Sequence, residues 1–170
     1  TKKGLTVRGY GYEEFAKEQK IEQPKVGDLR IQTSSYGTAI PVVIGTQRLS
    51  GNIIWAANKT EYTTETRSGK GGGGGTVTVT TGYKQSMLIA ICKGPIRGIG
   101  KVWADGKLIV SPGRPSIGRL YLGTDDQLAD PTYQSAVGAD APAYRGIAYY
   151  SLTDFDLGIS GGVLQFSFEV

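Results

Sequence analysis

The sequence contains no histidine. That removes the commonest general base and the commonest zinc ligand together, and it constrains function more than any motif that is present. Cysteine occurs once, as Cys92, so no internal disulfide can form. Its place in the run Met87-Leu88-Ile89-Ala90-Ile91-Cys92 marks it as a small core hydrophobe. No apolar stretch approaches the roughly 20 residues that cross a bilayer, so stable membrane insertion is not expected, nor is a charged-apolar-small leader before the first strand. Because the first residue is Thr1, either an initiator has been removed or the sequence begins inside a longer product. Charge is sparse, at 20% of residues with a net +4, and the basic residues are scattered apart from Lys2-Lys3 and the stretch from Arg67 to Lys70. A solvated terminus explains the basic start better than a polyanion site does.

What is abundant is glycine, with 26 residues, and tyrosine, with 10, in a chain of 170. The length suits one well-packed domain, and the mixture favours turns and strands over long amphipathic helices. Residues 1–27 read as an N-terminal arm in which Tyr10 to Lys20 forms at most a short helix, because Gly, Pro24 and Gly27 stop its growth. From residue 28 to 170 the texture is that of a β-rich domain. Ala39 to Gly45 and Gly51 to Ala56 are branched, apolar and separated by a polar turn, which predicts two strands. Pro41 has no amide hydrogen, so its strand is expected at a sheet edge.

The stretches Thr60 to Thr66 and Thr76 to Thr81 flank Arg67-Ser68-Gly69-Lys70 and five consecutive glycines. They predict a hairpin insertion at about 60–81 with a Gly tip, and with Thr on both faces it is expected to project from the body. Thr64, Thr66, Lys70, Gly73, Thr76 and Thr78 are its candidate contact residues for a neighbouring subunit or partner. Tyr83 to Cys92 puts Met87, Ile89 and Ile91 on one face and Leu88, Ala90 and Cys92 on the other, the pattern of a central strand covered on both sides. Asp105-Gly106, between Ile96–Ala104 and Lys107–Val110, is a two-residue hairpin turn. Gly118 to Gly123 supplies a short strand. Asp130 as N-cap, Pro131 as first residue and Gly138 just past the end predict one short helix facing inward through Tyr133, Ala136 and Val137. Ala143 to Leu152 resumes as strand, and the last eight residues alternate, with Leu164, Phe166, Phe168 and Val170 inward. The fold class is mainly β, an antiparallel barrel or sandwich.

Catalytic and metal chemistry finds little support. Lys70 precedes its glycines and a Thr-Val strand follows, whereas a nucleotide-binding loop places Lys after them and opens a helix. Asp125 with Asp126, and Asp154 with Asp156, are carboxylate pairs of the kind a glycosidase needs, yet each reads as a turn pair, and Asp125, Asp126 and Asp130 lack the alternating oxygen ligands and closing Glu of a calcium loop. No Ser-x-x-Lys occurs to activate a serine without histidine. Trp55 and Trp103 read as core or interface packing. No cofactor, metal or catalytic residue is assigned, and the chain is expected not to be an enzyme.

The string Asp28-Leu29-Arg30-Ile31-Gln32-Thr33-Ser34-Ser35-Tyr36-Gly37-Thr38-Ala39-Ile40-Pro41, followed by Gly45, Arg48 and Gly51-Asn52-Ile53-Ile54-Trp55, resembles the N-terminal region of the tail-tip hub proteins of long-tailed phages and gene transfer agents. Matches continue in order through Lys93-Gly94-Pro95-Ile96, Ile99 to Gly106, Tyr121-Leu122-Gly123-Thr124, Gln127, Asp130-Pro131, Pro142 to Tyr149 and Phe168-Glu169-Val170. Lys93 departs from the pattern, standing where the family usually has Glu, so any ionic contact inherited there is in doubt. Hub proteins also continue beyond the Phe-Glu-Val strand, so a fragment or the product of a split gene is expected. The resemblance implies a tube-forming β domain that assembles as a homotrimer at the distal end of the tail. There it closes the tail tube and joins the distal tail ring to the central fibre or downstream hub domains. It also implies contact with the tape-measure protein and passage of genomic DNA without sequence-specific binding, in the service of host attachment and genome delivery. The alternatives carried beside it are a carbohydrate-binding module and a tail-associated cell-wall hydrolase component.

Overall fold

A computed structural model describes residues 19–22, 39–68, 76–113, 116–162 and 164–170. Its elements are β1 (Gln19–Glu22), β2 (Arg48–Ser50), β3 (Asn52–Ala56), β4 (Thr60–Ser68), β5 (Thr76–Lys93), β6 (Val102–Ala104), β7 (Lys107–Val110), β8 (Arg119–Tyr121), α1 (Pro131–Val137), β9 (Ile147–Gly158) and β10 (Phe166–Glu169). The chain is mainly β, as the branched and aromatic runs require, and divides into two compact units.

In the smaller unit, β4 from Thr63 pairs with β5 up to Thr81, and β1 runs parallel to β5 with Gln19 opposite Thr76 and Glu22 opposite Val79. Both Thr-rich stretches are strand, and they pair. The tip at Lys70 and Gly73 lies outside the described residues. The parallel partner was not foreseen: Gln19 and Lys20, expected at the end of a helix, are strand. The rest of that expected helix also lies outside the described residues.

The larger unit is built on the second part of β5. Here β3 pairs with it antiparallel on one side and β9 on the other, and β8 adds to β9. A second antiparallel sheet, ordered β2-β10-β6-β7, packs across one face. Between the sheets lie Met87, Ile89, Ile91, Tyr150 and Leu152 from the first, and Val102, Val110, Phe166 and Phe168 from the second. The other face of the first sheet carries Leu88 and Tyr149, which are covered by Tyr133 of α1 and by Ala141 and Tyr144 from the loop after it. The architecture is thus a sandwich with a short helical layer on one side.

Several expectations hold residue by residue. Asp105 and Gly106 both have positive φ, 47° and 77°, as the primed hairpin turn demands. Phe166 and Phe168 are buried, and Leu164 and Val170 pack against the same core. Asp130 caps α1, accepting from the Thr132 and Tyr133 amides, with Pro131 at the first turn and Gly138 at the end.

Others are corrected. Ala39 to Gly45 is not a strand: Pro41 cannot donate, Gly45 turns the chain at φ 77°, and Ile40, Val42 and Ile44 face solvent while Val43 packs on the core. The chain joins the second sheet only at Arg48, where Leu49 pairs with Phe168. Cys92 shares a core cluster with Ile91, because a register shift between Ala90 and Cys92 breaks the strict alternation. On α1 only Tyr133 is buried; seven residues are two turns, and Ala136 and Val137, expected on the same face, are exposed in the second. Ala143 to Gly146 is loop, with positive φ at Tyr144 and Gly146, so β9 begins at Ile147.

The two sheets approach closely at Gly51. A Cβ there would stand 2.4 Å from Ile89 Cγ2 and 2.7 Å from Phe168 Cε2. Both neighbours are held in the core, so Gly51→Ala is expected to cost about 1–3 kcal/mol in urea denaturation. Gly98→Ala, whose Cβ would meet nothing within 4 Å, serves as the control and should lose much less.

Candidate functional site

The candidate contact residues divide along the hairpin. Thr64 and Thr66 lie exposed on β4, and Thr76 and Thr78 are half-buried on β5, opposite Gln19 and Ile21 of β1. Val77 between them is buried. Within the larger unit, where β4 begins, the ring of Tyr62 lies across Gly82, a position at which a Cβ would stand 2.4 Å from its Cζ. The Tyr62 hydroxyl is 2.8 Å from both carboxylate oxygens of Asp156 and donates to them. That hydrogen bond, with desolvation and the carboxylate's charge adding, raises the Tyr62 pKa. The Lys84 ammonium stands 5.2 Å from the ring centroid. Gly82 leaves room within β5 for the Tyr62 ring.

The carboxylates that resembled catalytic pairs have other work. Asp125 and Asp126 sit in a turn, as expected. Asp154 and Asp156 do not: both lie inside β9, Asp154 at φ 47° receiving the Ser86 hydroxyl and Asp156 holding Tyr62 and the Gly158 amide. Among the described residues no three acidic or cysteine side chains gather as a metal site would require. Burial pushes the Cys92 thiol pKa up, away from reactivity. Trp55 packs edge-on against Tyr133, with ring centroids 5.0 Å apart. Trp103 is on the outer face of the second sheet, its ring covered by the Arg48 guanidinium at 3.9 Å.

Two polar side chains, Gln127 and Asp130, of which only Asp130 was expected to act and only as a helix cap, organise the loops above β8 and β9. Gln127 is buried; its Oε1 accepts from the Gly123 amide at 2.7 Å, and its Nε2 donates to the carbonyls of Ala143 and Tyr144 at 2.9 and 3.1 Å. Asp130 is 1% exposed and binds far more than its helix. One oxygen caps α1, and the other receives the Tyr121 hydroxyl at 2.9 Å and the Arg119 guanidinium at 3.3 Å. The N-cap spacing identified Asp130, but nothing in the sequence tied it to β8.

With that geometry in place, the chain can be set beside known proteins. No family model matches it, and no curated protein matches it. Among solved structures it matches a chain in the virion of a native gene transfer agent particle, with 36% identity and a TM-score of 0.61. The chain resembles part of a virion protein. The match covers 89% of this chain and 30% of the virion chain, so the sequence spans under a third of that chain's length. An identity of this size over nearly the whole sequence carries over the sandwich and its sequence pattern together.

Asp130 provides a test of the loop framework. Burial alone would raise its pKa, but hydrogen bonds from Ser151, the Tyr133 amide, Tyr121 and the Thr132 amide outweigh it and hold the pKa below the ordinary carboxylate value. A depressed folded-state pKa stabilises the fold above the unfolded value near 3.9, and that contribution is lost as pH falls through the folded pKa. Asp130→Ala should therefore cost roughly 2–3 kcal/mol at neutral pH, from the lost cap and the orphaned Tyr121 hydroxyl. In denaturation measured against pH, the gap to the parent chain should narrow below about pH 4.

Proposed function

We propose that the chain is a structural subunit of a phage-type or gene-transfer-agent-type virion, and that it works at the tail tip as the tube-forming part of a hub. The observation that carries this reading is the likeness of 89% of the chain, at 36% identity, to a virion chain. The finer placement rests on the ordered strings from Asp28 to Val170 that resemble tail-tip hub proteins. On this reading copies of the chain close the distal end of the tail tube as a homotrimer. Its neighbours are the distal tail ring, the tape-measure protein and the central fibre or downstream hub domains. Genomic DNA passes through without sequence-specific contacts, and no catalysis is asked of the chain.

The placement of the aromatic and acidic side chains supports assembly over the two alternatives. Sugar stacking needs open ring faces, whereas Trp55 is packed on Tyr133 and Trp103 lies beneath Arg48. Carboxylate hydrolysis needs two acids across a cleft, whereas Asp154 and Asp156 are engaged with Ser86 and Tyr62. The hairpin, with Thr64, Thr66, Lys70, Gly73, Thr76 and Thr78, is the proposed contact with a neighbouring subunit or partner.

Electron microscopy of purified particles carrying a tagged chain tests the placement: label is expected at the distal tail end. Label on the head, or particles without the chain, overturns it. Removing Gly71 to Gly75 should leave the melting temperature of the isolated chain within a few degrees of the parent while lowering the yield of infectious particles. Full infectivity of that deletion would remove the hairpin tip from the assembly role.

A further inference from the structure

At the end of the sandwich where β5 gives way to Lys93-Gly94-Pro95, two surface features differ in shape and sign. The first is a groove of about 390 Å³ between the segment before β2 and the loop after β5. Val43, Ile96 and Val170 line it, each packed against the core from behind, and Arg97 stands exposed at its rim with Lys93 nearby in the chain. Neither basic side chain forms an ion pair among the described residues. The floor is apolar and backed by the core, and the rim is positive.

The second feature is the loop from Thr124 to Ala129. Leu128 is 74% exposed there, with Asp125 and Asp126 exposed beside it. A leucine that open on a loose loop would need no explanation, but this loop is held. Gln127 turns inward to fasten Gly123, Ala143 and Tyr144, and the Arg145 side chain donates to the Gln127 carbonyl at 3.2 Å. The loop therefore presents an apolar knob flanked by Asp125 and by Asp126, the latter with the Arg145 guanidinium near it, and loses little conformational freedom on binding.

Groove and loop are neighbours, since the Ile96 amide donates to the Leu122 carbonyl at 3.0 Å just ahead of the loop, yet Leu128 faces solvent and the groove beside it is open. One copy therefore does not fill its own groove from this loop. We propose that the Leu128 knob of one copy docks in the Val43–Ile96–Val170 groove of the next, with Asp125 against Arg97. The proposal rests on reading the chain as a repeated subunit of an assembly and adds to the hairpin a second surface by which copies meet. Because knob and groove are different patches, the contact is head-to-tail, and such contacts build rings when the rotation per copy closes. Opposite charges at the rim fix the register and disfavour knob-to-knob approach.

The test is sedimentation velocity of the full chain across a range of concentrations at low salt. The parent chain is expected to associate. Leu128→Asp and Arg97→Glu should each weaken association about tenfold or more without changing the melting temperature, since both side chains are exposed. Combining Arg97→Glu with Asp125→Arg reverses both members of the pair and should recover most of the loss. A chain that stays monomeric throughout, association indifferent to both single changes, or a charge swap that recovers nothing each overturns the proposal. Particle labelling keeps the two readings apart. Chain found in particles but insensitive to these changes leaves the virion role standing and removes the knob and groove, whereas chain absent from particles removes the role itself.

Discussion

Burial of β5 on both faces is the constraint from which the larger unit follows. From Gln85 to Cys92 every residue of this strand is buried, so neither face of its sheet can be left to water. On one side the cover is the sheet β2-β10-β6-β7, which brings Phe166, Phe168, Val102 and Val110 against Met87, Ile89 and Ile91. On the other it is a short helix with the loop that follows, which brings Tyr133 and Tyr144 onto Leu88 and Tyr149. Burying a side chain of this size contributes about 1.5–3 kcal/mol, so both covers are needed to offset the entropy of ordering the chain.

The two covers differ in how they are attached. The second sheet is held by interdigitated apolar side chains and by a close approach at Gly51. The helical cover buries little of its own, since Tyr133 is the one buried residue of α1, and it is tied down instead by hydrogen bonds to buried polar groups. Asp130 joins the helix to β8, and Gln127 joins the loop before the helix to the loop after it. Such groups are costly when unpaired and directional when paired, so they set loop geometry more tightly than apolar contact alone. That is why a surface as open as Leu128 can also be well placed.

Inside, Asp130 and Gln127 are committed to backbone and hydroxyl partners and the Cys92 thiol is buried, while the exposed features are shapes: a Thr-lined hairpin, an apolar groove with a basic rim, a held leucine. On the proposed reading these are surfaces for fitting against other proteins, in keeping with the likeness to a virion chain.

Period and turn chemistry were legible in the residues themselves. The β class, the Asp105-Gly106 turn, the alternation ending in Phe168 and the cap of α1 all follow from local rules, since a two-residue period or a positive-φ turn needs no distant partner to declare itself. The strand status of Ala39 to Gly45 was not legible, because a strand exists only if a neighbour supplies its hydrogen bonds, and the second sheet accepts the chain three residues later. Nor was the parallel pairing of β1, the inward shift of Cys92 at a bulge, or the second use of Asp130. Composition and spacing determined the β class, most of the strands, the Asp105-Gly106 turn and the short helix. Only the tertiary structure decided which edges pair and which side chains share a core, because those depend on groups far apart in the chain meeting at hydrogen-bonding and van der Waals distance.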